Sequence, residues 1–289
     1  MTDQAQALRK LVHAQELGGS ARQTRVVTVT SGKGGVGKSN FSLNFALTLQ
    51  QLGQRVLVFD ADIGMANIDV LMGCTAPYNL YHLLKREKTI WEIIQEGPLG
   101  IHFIAGGSGF KDLLDLSGEE LDYFGDQIGK LHGHYDVILF DTGAGLSKET
   151  VKFIVAAQET LVVTTPEPTS ITDAYALIKM VKAMNHEVDF KLVVNRATDN
   201  REGRQTADKI GMVARQFLHM ELPVLGVVLD DANVTKAVKK QIPFTIAYPG
   251  GDASRSIGEI ARKFMNLGGT GTDSGGVKGF LHRMLRLKK

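Results

Sequence analysis

Short runs of β-branched and other apolar residues recur along the chain, with helix-length stretches between them. Residues 26–29, 56–59, 101–104, 137–140, 161–163, 192–194, 224–229 and 244–246 read as strands, and 40–52, 171–184 and 203–217 as helices. Most of the strand runs are continuously apolar instead of alternating, as a strand must be when helices cover both faces of a parallel sheet. The pattern predicts an α/β fold: a doubly wound, mostly parallel sheet of about eight strands with helices on both faces, its ligands outside the carboxyl ends of the strands. No repeat and no break divides residues 25–267. Residues 1–24 stand apart as an extension in which Leu8, Leu11 and Val12 fall at helical spacing. Residues 268–276 have the Gly, Ser and Thr content of a flexible linker. Residues 277–289 place Val277, Phe280, Leu281 and Met284 on one helical face.

Between the first strand and the first helix lies Gly32-Lys33-Gly34-Gly35-Val36-Gly37-Lys38-Ser39. Strand, glycine loop, helix is the context in which a P-loop pattern becomes a phosphate site. Glycines let backbone N–H groups converge on an anion, and the helix N-terminus adds the positive end of its dipole. Lys38 would reach the β- and γ-phosphates, the Ser39 hydroxyl would ligate Mg²⁺, and Asn40 follows at the rim. A glycine turn that binds nothing is the alternative, and the flanking elements argue against it.

Three further strand ends carry chemistry. Asp60 and Asp62 follow the second strand, where the γ-phosphate and Mg²⁺ of a P-loop protein lie; helix capping is the competing use of such acids. Asp141 ends the apolar run 137–140 and suits support of the metal, with Gly143 and Gly145 allowing the next turn to close on a phosphate and relax. Asn195 and Arg196 end another strand, where the amide would bond a base edge and the guanidinium stack on it; a plain turn with a solvated arginine is the alternative. Ala197 and Thr198 follow, so the guanine-selecting Asn-Lys-x-Asp pattern is absent and ATP is the expected nucleotide.

Charge and cysteine content narrow the setting. The net charge is +2 over 289 residues. Five bases, Lys278, Arg283, Arg286, Lys288 and Lys289, crowd the last thirteen positions, leaving 28 bases against 31 acids elsewhere. A mildly acidic body disfavours a DNA-coating surface, and no specific nucleic acid is expected. The basic amphipathic tail instead reads as an interfacial anchor for an anionic membrane, with Val277, Phe280, Leu281 and Met284 toward lipid and Lys278 and Arg283 on the flanks. Docking of this helix on the core is the alternative, and the two states can alternate. Cys74 is the one cysteine, which fits a reducing compartment and leaves no cysteine pair for an iron–sulfur carrier. With no secretory signal and no apolar run near the ~18 residues of a membrane span, the expected location is cytoplasmic and peripheral on the inner membrane face.

The stretch 33–39 resembles the deviant Walker A motif of the MinD/ParA ATPases, and the resemblance extends over about residues 25–267. It implies that Lys33 crosses a dimer interface to the partner's phosphates and that Asp62, in a run similar to the family's first switch, positions the attacking water. It also implies that Asn195 and Arg196 hold adenine, and that Glu167, Thr169 and Asp173 shape the dimer face. Lys33, Lys38, Asp62 and Asp141 are then the catalytic set, and Ser39, Asp60 and Asp141 the metal set. Upstream, Asp3, Gln4, Ala5, Leu8 and Arg9 resemble the N-terminal element of the FlhG (FleN, YlxH) group, which controls flagellar number and placement. That group engages and stimulates the GTPase FlhF, and other flagellar basal-body proteins are further candidate partners. The expectation is a slow ATPase acting as a monomer–dimer switch. A cell-division MinD and a DNA-partitioning ParA are the alternatives.

Overall fold

The computed structural model describes residues 24–62, 67–106, 118–184, 188–267 and 276–286. Its centre is a sheet of eight strands: β1 (Arg25–Thr30), β2 (Val56–Ala61), β3 (Gln95–Glu96), β4 (His102–Ile104), β5 (Val137–Thr142), β6 (Glu159–Thr164), β7 (Asp189–Ala197) and β8 (Val224–Leu229). They lie in the order β3-β4-β2-β5-β1-β6-β7-β8. Every pairing is parallel except β3 with β4. β2, β5 and β6 are buried at every position, which is why they read as unbroken apolar runs.

Twelve helices are described: α1 (Lys38–Gln51), α2 (Ile68–Met72), α3 (Leu80–Leu84), α4 (Ile90–Ile93), α5 (Gly118–Gly129), α6 (Lys148–Ala156), α7 (Pro168–Ala183), α8 (Asn200–Leu218), α9 (Ala232–Lys239), α10 (Phe244–Ala247), α11 (Asp252–Asn266) and α12 (Gly276–Arg286). Alternate strand residues feed opposite cores. Val27 and Val29 pack with Phe45 of α1 and Phe264 of α11, whereas Val26 packs with Ile128 of α5 and Phe280 of α12. α7 and α8 close the second face over β6 and β7.

One expectation needs correction, and the C-terminal helix takes one of its two expected states. Residues 244–246 form helix α10, not a strand: Pro243 starts the turn, and Ala247 N donates to Pro243 O at 2.9 Å. The eighth strand is instead the two-residue β3, held antiparallel on the sheet edge. The C-terminal helix takes the docked form. Val277, Phe280 and Leu281 are buried, and the Phe280 ring stacks on Phe140 at 4.7 Å. Arg283 Nε donates to Ala156 O at 2.9 Å, and burial lowers the Arg283 pKa. These apolar side chains face the core and not outward, because Phe140 and Phe153 offer them a fitted aromatic surface. At roughly 2 kcal/mol per fully buried large side chain, the three contribute about 6 kcal/mol at most. Lys278 remains exposed and Met284 is half-buried. No described helix is long and apolar enough to cross a membrane. Asp3, Gln4, Ala5, Leu8 and Arg9 lie outside the described residues, as do linker positions 268–275 and switch positions 63–66.

Candidate functional site

The loop between β1 and α1 sits where the chain leaves the middle of the sheet, with β5 on one side and β6 on the other. α1 starts from Gly37 at φ 85°, with no capping side chain and no acid in its first turn. The contrast with α6, α8 and α9 is informative, since Ser147, Asp199 and Asp231 cap those helices with their side chains. The first N–H groups of α1 are thus kept free of an acidic or capping side chain, as an anion site requires. Gly32 is obligatory for packing: a Cβ there would lie 2.2 Å from the Asp173 carbonyl carbon.

The two lysines of the loop go to different places. Lys38 is buried, its Nζ 2.9 Å from Asp141 Oδ1 and 3.4 Å from Ser39 Oγ. Lys33 runs over the surface, its Nζ donating to Thr169 Oγ1 at 2.9 Å and pairing with Glu167 at 3.3 Å. Its side chain is 41% exposed. The loop therefore presents one cation inward and one outward.

Asp141 is fully buried at the end of β5. Ser42 Oγ donates to the same Oδ1 at 2.7 Å, while Oδ2 is buried without a partner among the described residues. Asp60 lies beside it, in register across β2 and β5. Its carboxylate accepts from Asn67 N at 2.8 Å, Ile68 N at 3.0 Å and Asp62 N at 3.2 Å. Asp60 thus also serves the turn into α2, the competing use seen in the sequence. Burial, and next the charge of Asp141, push its pKa up to about 7 against those three bonds. Asp62 is half-buried, its Oδ1 3.5 Å from where a Cβ on Gly143 would stand. Gly145 N donates to Ser31 O at 2.8 Å, tying the turn after β5 to the end of β1.

Asn195 and Arg196 close the other side. Asn195 Nδ2 donates to Val36 O at 2.8 Å, and a Cβ on Gly37 would fall 2.5 Å from that nitrogen. Arg196 takes φ 58° and is exposed, 3.7 Å from Asp230. Beside them opens a cavity of about 520 Å³ running from Gly35, Gly37, Asn40 and Phe41 to Asp230, Val234, Val238 and Phe244. It adjoins the phosphate loop and matches the size of a ligand pocket.

The structure brings Lys38, Ser39, Asn40, Asp60, Asp62, Asp141, Asn195 and Arg196 around one pole, and sets Lys33 apart on its rim. Sequence reading missed Ser42 and the wall formed by Val234, Val238 and Phe244. Ser42 was within reach, since it lies one helical turn after Lys38 and shares its face. Among the described residues no cluster of three or more His, Cys, Asp or Glu side chains is arranged for a metal. Mg²⁺ requires no such cluster, since it takes one or two carboxylates and completes its shell with water and phosphate oxygens. Asp141 Oδ2, without a partner among the described residues, and the Ser39 hydroxyl, reached by the same Lys38 Nζ that pairs with Asp141 Oδ1, are oxygens of the kind such an ion takes.

Comparison with known proteins agrees with this geometry. Residues 27–244 match the model of the CobQ/CobB/MinD/ParA nucleotide binding domain. The chain is 36% identical over 268 residues to the antiactivator FleN of Pseudomonas aeruginosa, covering 93% of this chain and 96% of that one. It is 39% identical over 268 residues to the flagellum site-determining protein YlxH of Helicobacter pylori, covering 91% and 90%. The fold resembles the septum site-determining protein MinD of Pyrococcus horikoshii complexed with Mg-ADP, with a TM-score of 0.69, 23% identity and coverage of 84% and 97%.

Proposed function

Because the chain belongs to the CobQ/CobB/MinD/ParA nucleotide-binding family, we propose that it is an ATP-driven dimerisation switch regulating the number or placement of flagella. The observation that carries this reading is the divergence of the two loop lysines. Lys38 is committed to its own site, whereas Lys33 rests on Glu167 and Thr169 at the surface, from which it would reach a second subunit's phosphates. ATP is the substrate, with its triphosphate on residues 32–39 and its base in the adjoining cavity. Lys38 then exchanges Asp141 for the β- and γ-phosphates. Asp62 orients the attacking water, and Ser42 keeps Asp141 in place after Lys38 has turned away. Ser39, Asp60 and Asp141 would hold Mg²⁺, which supplies neutralisation of the phosphate charge. Turnover is slow, since the bound dimer is the output.

The tail gives the switch its reach. Phe280 stacks on Phe140, the neighbour of Asp141, and on Phe153 of the helix that follows the Gly143–Gly145 turn. Closure of that turn on a triphosphate would therefore act on the bed of α12. Released, the helix presents Val277, Phe280, Leu281 and Met284 to an anionic membrane, with Lys278 and Arg283 flanking. One helix binds weakly and two in a dimer bind by avidity. Asp3, Gln4, Ala5, Leu8 and Arg9 serve a FlhF-type GTPase. The similarity to FleN and YlxH supports the flagellar setting.

Size-exclusion chromatography with ADP or a non-hydrolysable ATP analogue tests the core of the proposal. Wild type should dimerise with the analogue alone, Lys33→Ala should bind nucleotide and stay monomeric, and Asp62→Ala should remain dimeric in ATP. A wild-type protein that stays monomeric when saturated with the analogue would overturn the switch.

A further inference from the structure

Helix α10, a strand by its sequence, is held in place by a side chain two hundred positions earlier. Asn44 lies in the interior of α1 and is fully buried. Its Oδ1 accepts from both Thr245 N at 3.0 Å and Thr245 Oγ1 at 2.9 Å. Its Nδ2 donates to Asn40 O at 2.8 Å, one helical turn back toward the P-loop. A buried amide in a helix interior is costly unless bonded, and an apolar residue would serve packing better. The bonds therefore point to a use beyond filling space.

Both ends of this bridge touch the cavity. Asn40 and Phe41 line it from α1, and Phe244, next to Thr245, lines it from the opposite wall. Phe244 is itself buried, and its carbonyl is held by Ser254 Oγ at 3.3 Å. The aromatic wall is thus tied through Thr245 and Asn44 to the helix that follows the P-loop.

We propose that Asn44 is a positioning residue for nucleobase recognition: by clamping Thr245 it fixes the Phe244 wall relative to the P-loop, so that base and triphosphate are gripped by one rigid body. The inference rests on the ATP-binding reading above, with the cavity as the base subsite. A role confined to stability would not distinguish ligands that have a base from those that lack one.

Calorimetric titration of the full chain in Mg²⁺ with ATP and with inorganic tripolyphosphate makes that distinction. Thr245→Val keeps the shape of the side chain and removes one bond. It should weaken ATP about fivefold and change tripolyphosphate less than twofold, while Thr245→Ser restores ATP affinity. Asn44→Ala should widen the gap to tenfold or more; if it fails to fold, the Thr245 pair decides alone. Equal weakening of both ligands, or no weakening of ATP, overturns the positioning role. A wild-type protein that binds neither ligand would sink the ATP reading instead.

Discussion

Carboxylates are buried at both ends of the sheet, yet their surroundings differ. At the amino ends of β1, β6 and β7, Glu159 is 1% exposed and both its oxygens are paired. Oε1 accepts from Arg25 Nε and Nη2 at 2.9 and 2.6 Å, and Oε2 from Lys191 Nζ at 2.8 Å. The Arg25 guanidinium also lies 3.6 Å over the Phe264 ring. At the carboxyl ends, Asp141 shares one oxygen between Lys38 and Ser42 and leaves the other without a partner among the described residues. Asp60 beside it is surrounded by backbone N–H groups. The first pole is a completed network that holds strands together. The second leaves a buried carboxylate oxygen without a partner among the described residues and holds a second carboxyl with a raised pKa beside it, so its groups are not fully paired with one another.

The sharpest way to break this contrast is to remove one carboxylate from each pole. Glu159→Gln strips the buried carboxylate from Arg25 and leaves Lys191 its pairing with Asp189 at 2.6 Å. It should cost roughly 3 kcal/mol in urea unfolding, because breaking a buried pair leaves charge less compensated. Asp141→Asn also breaks a buried pair, with Lys38, but relieves repulsion with Asp60, so it should cost less stability than Glu159→Gln, yet lower ATP turnover by about 100-fold or more. A large stability loss in Asp141→Asn with turnover intact would erase the difference between the poles.

Proton linkage separates them next. The Asp60 carboxyl, raised to about 7 in the fold, binds a proton more readily there than in the unfolded chain. Its stabilising contribution is therefore complete below about pH 4 and is lost as pH rises through about 7. In chelator and without nucleotide, the melting temperature of wild type should fall across that window by more than that of Asp60→Asn. Parallel curves for the two proteins would show that Asp60 does not titrate there. A smaller effect is expected at Ser42. Ser42→Ala removes a bond to a charged acceptor, commonly about 1.5–3 kcal/mol. It should reduce turnover roughly tenfold with ATP affinity nearly unchanged, whereas an equal change in both would place Ser42 in ground-state binding.

What the sequence discloses follows the range of the forces involved. The P-loop is legible because its glycines and lysines must be adjacent to wrap one anion, and Asp141 because an acid after a buried strand stands out. α10 is not legible, because Thr245 is held by Asn44 across 201 positions and no local pattern records that bond. β3 is too short to carry a period. The tail was ambiguous for a different reason: Val277, Phe280 and Leu281 make the same amphipathic stripe for lipid as for a core. Only the placement of Phe140 and Phe153 beneath them selects the docked form. Asp60 holds the turn into α2 and lies in register with Asp141, so the observed use of its carboxylate leaves the other reading open to test.

Lys33 supplies the finest test of the comparison, because it belongs to the ligand pole and yet contributes little to the fold. Its pairing with Glu167 is between side chains 41% and 57% exposed, and such surface pairs contribute at most about 0.5–1 kcal/mol. Lys33→Ala and Glu167→Gln should each leave the midpoint of chemical unfolding within about 0.5 kcal/mol of wild type. If the surface pair merely parks Lys33, Glu167→Gln should also leave ATP-dependent dimerisation intact or enhance it, since Lys33 is then freer to cross. Loss of dimerisation in Glu167→Gln with unchanged stability would mean that the acid guides Lys33 in the dimer instead of holding it back in the monomer. Either result is read on the same chromatogram that Lys33→Ala calibrates.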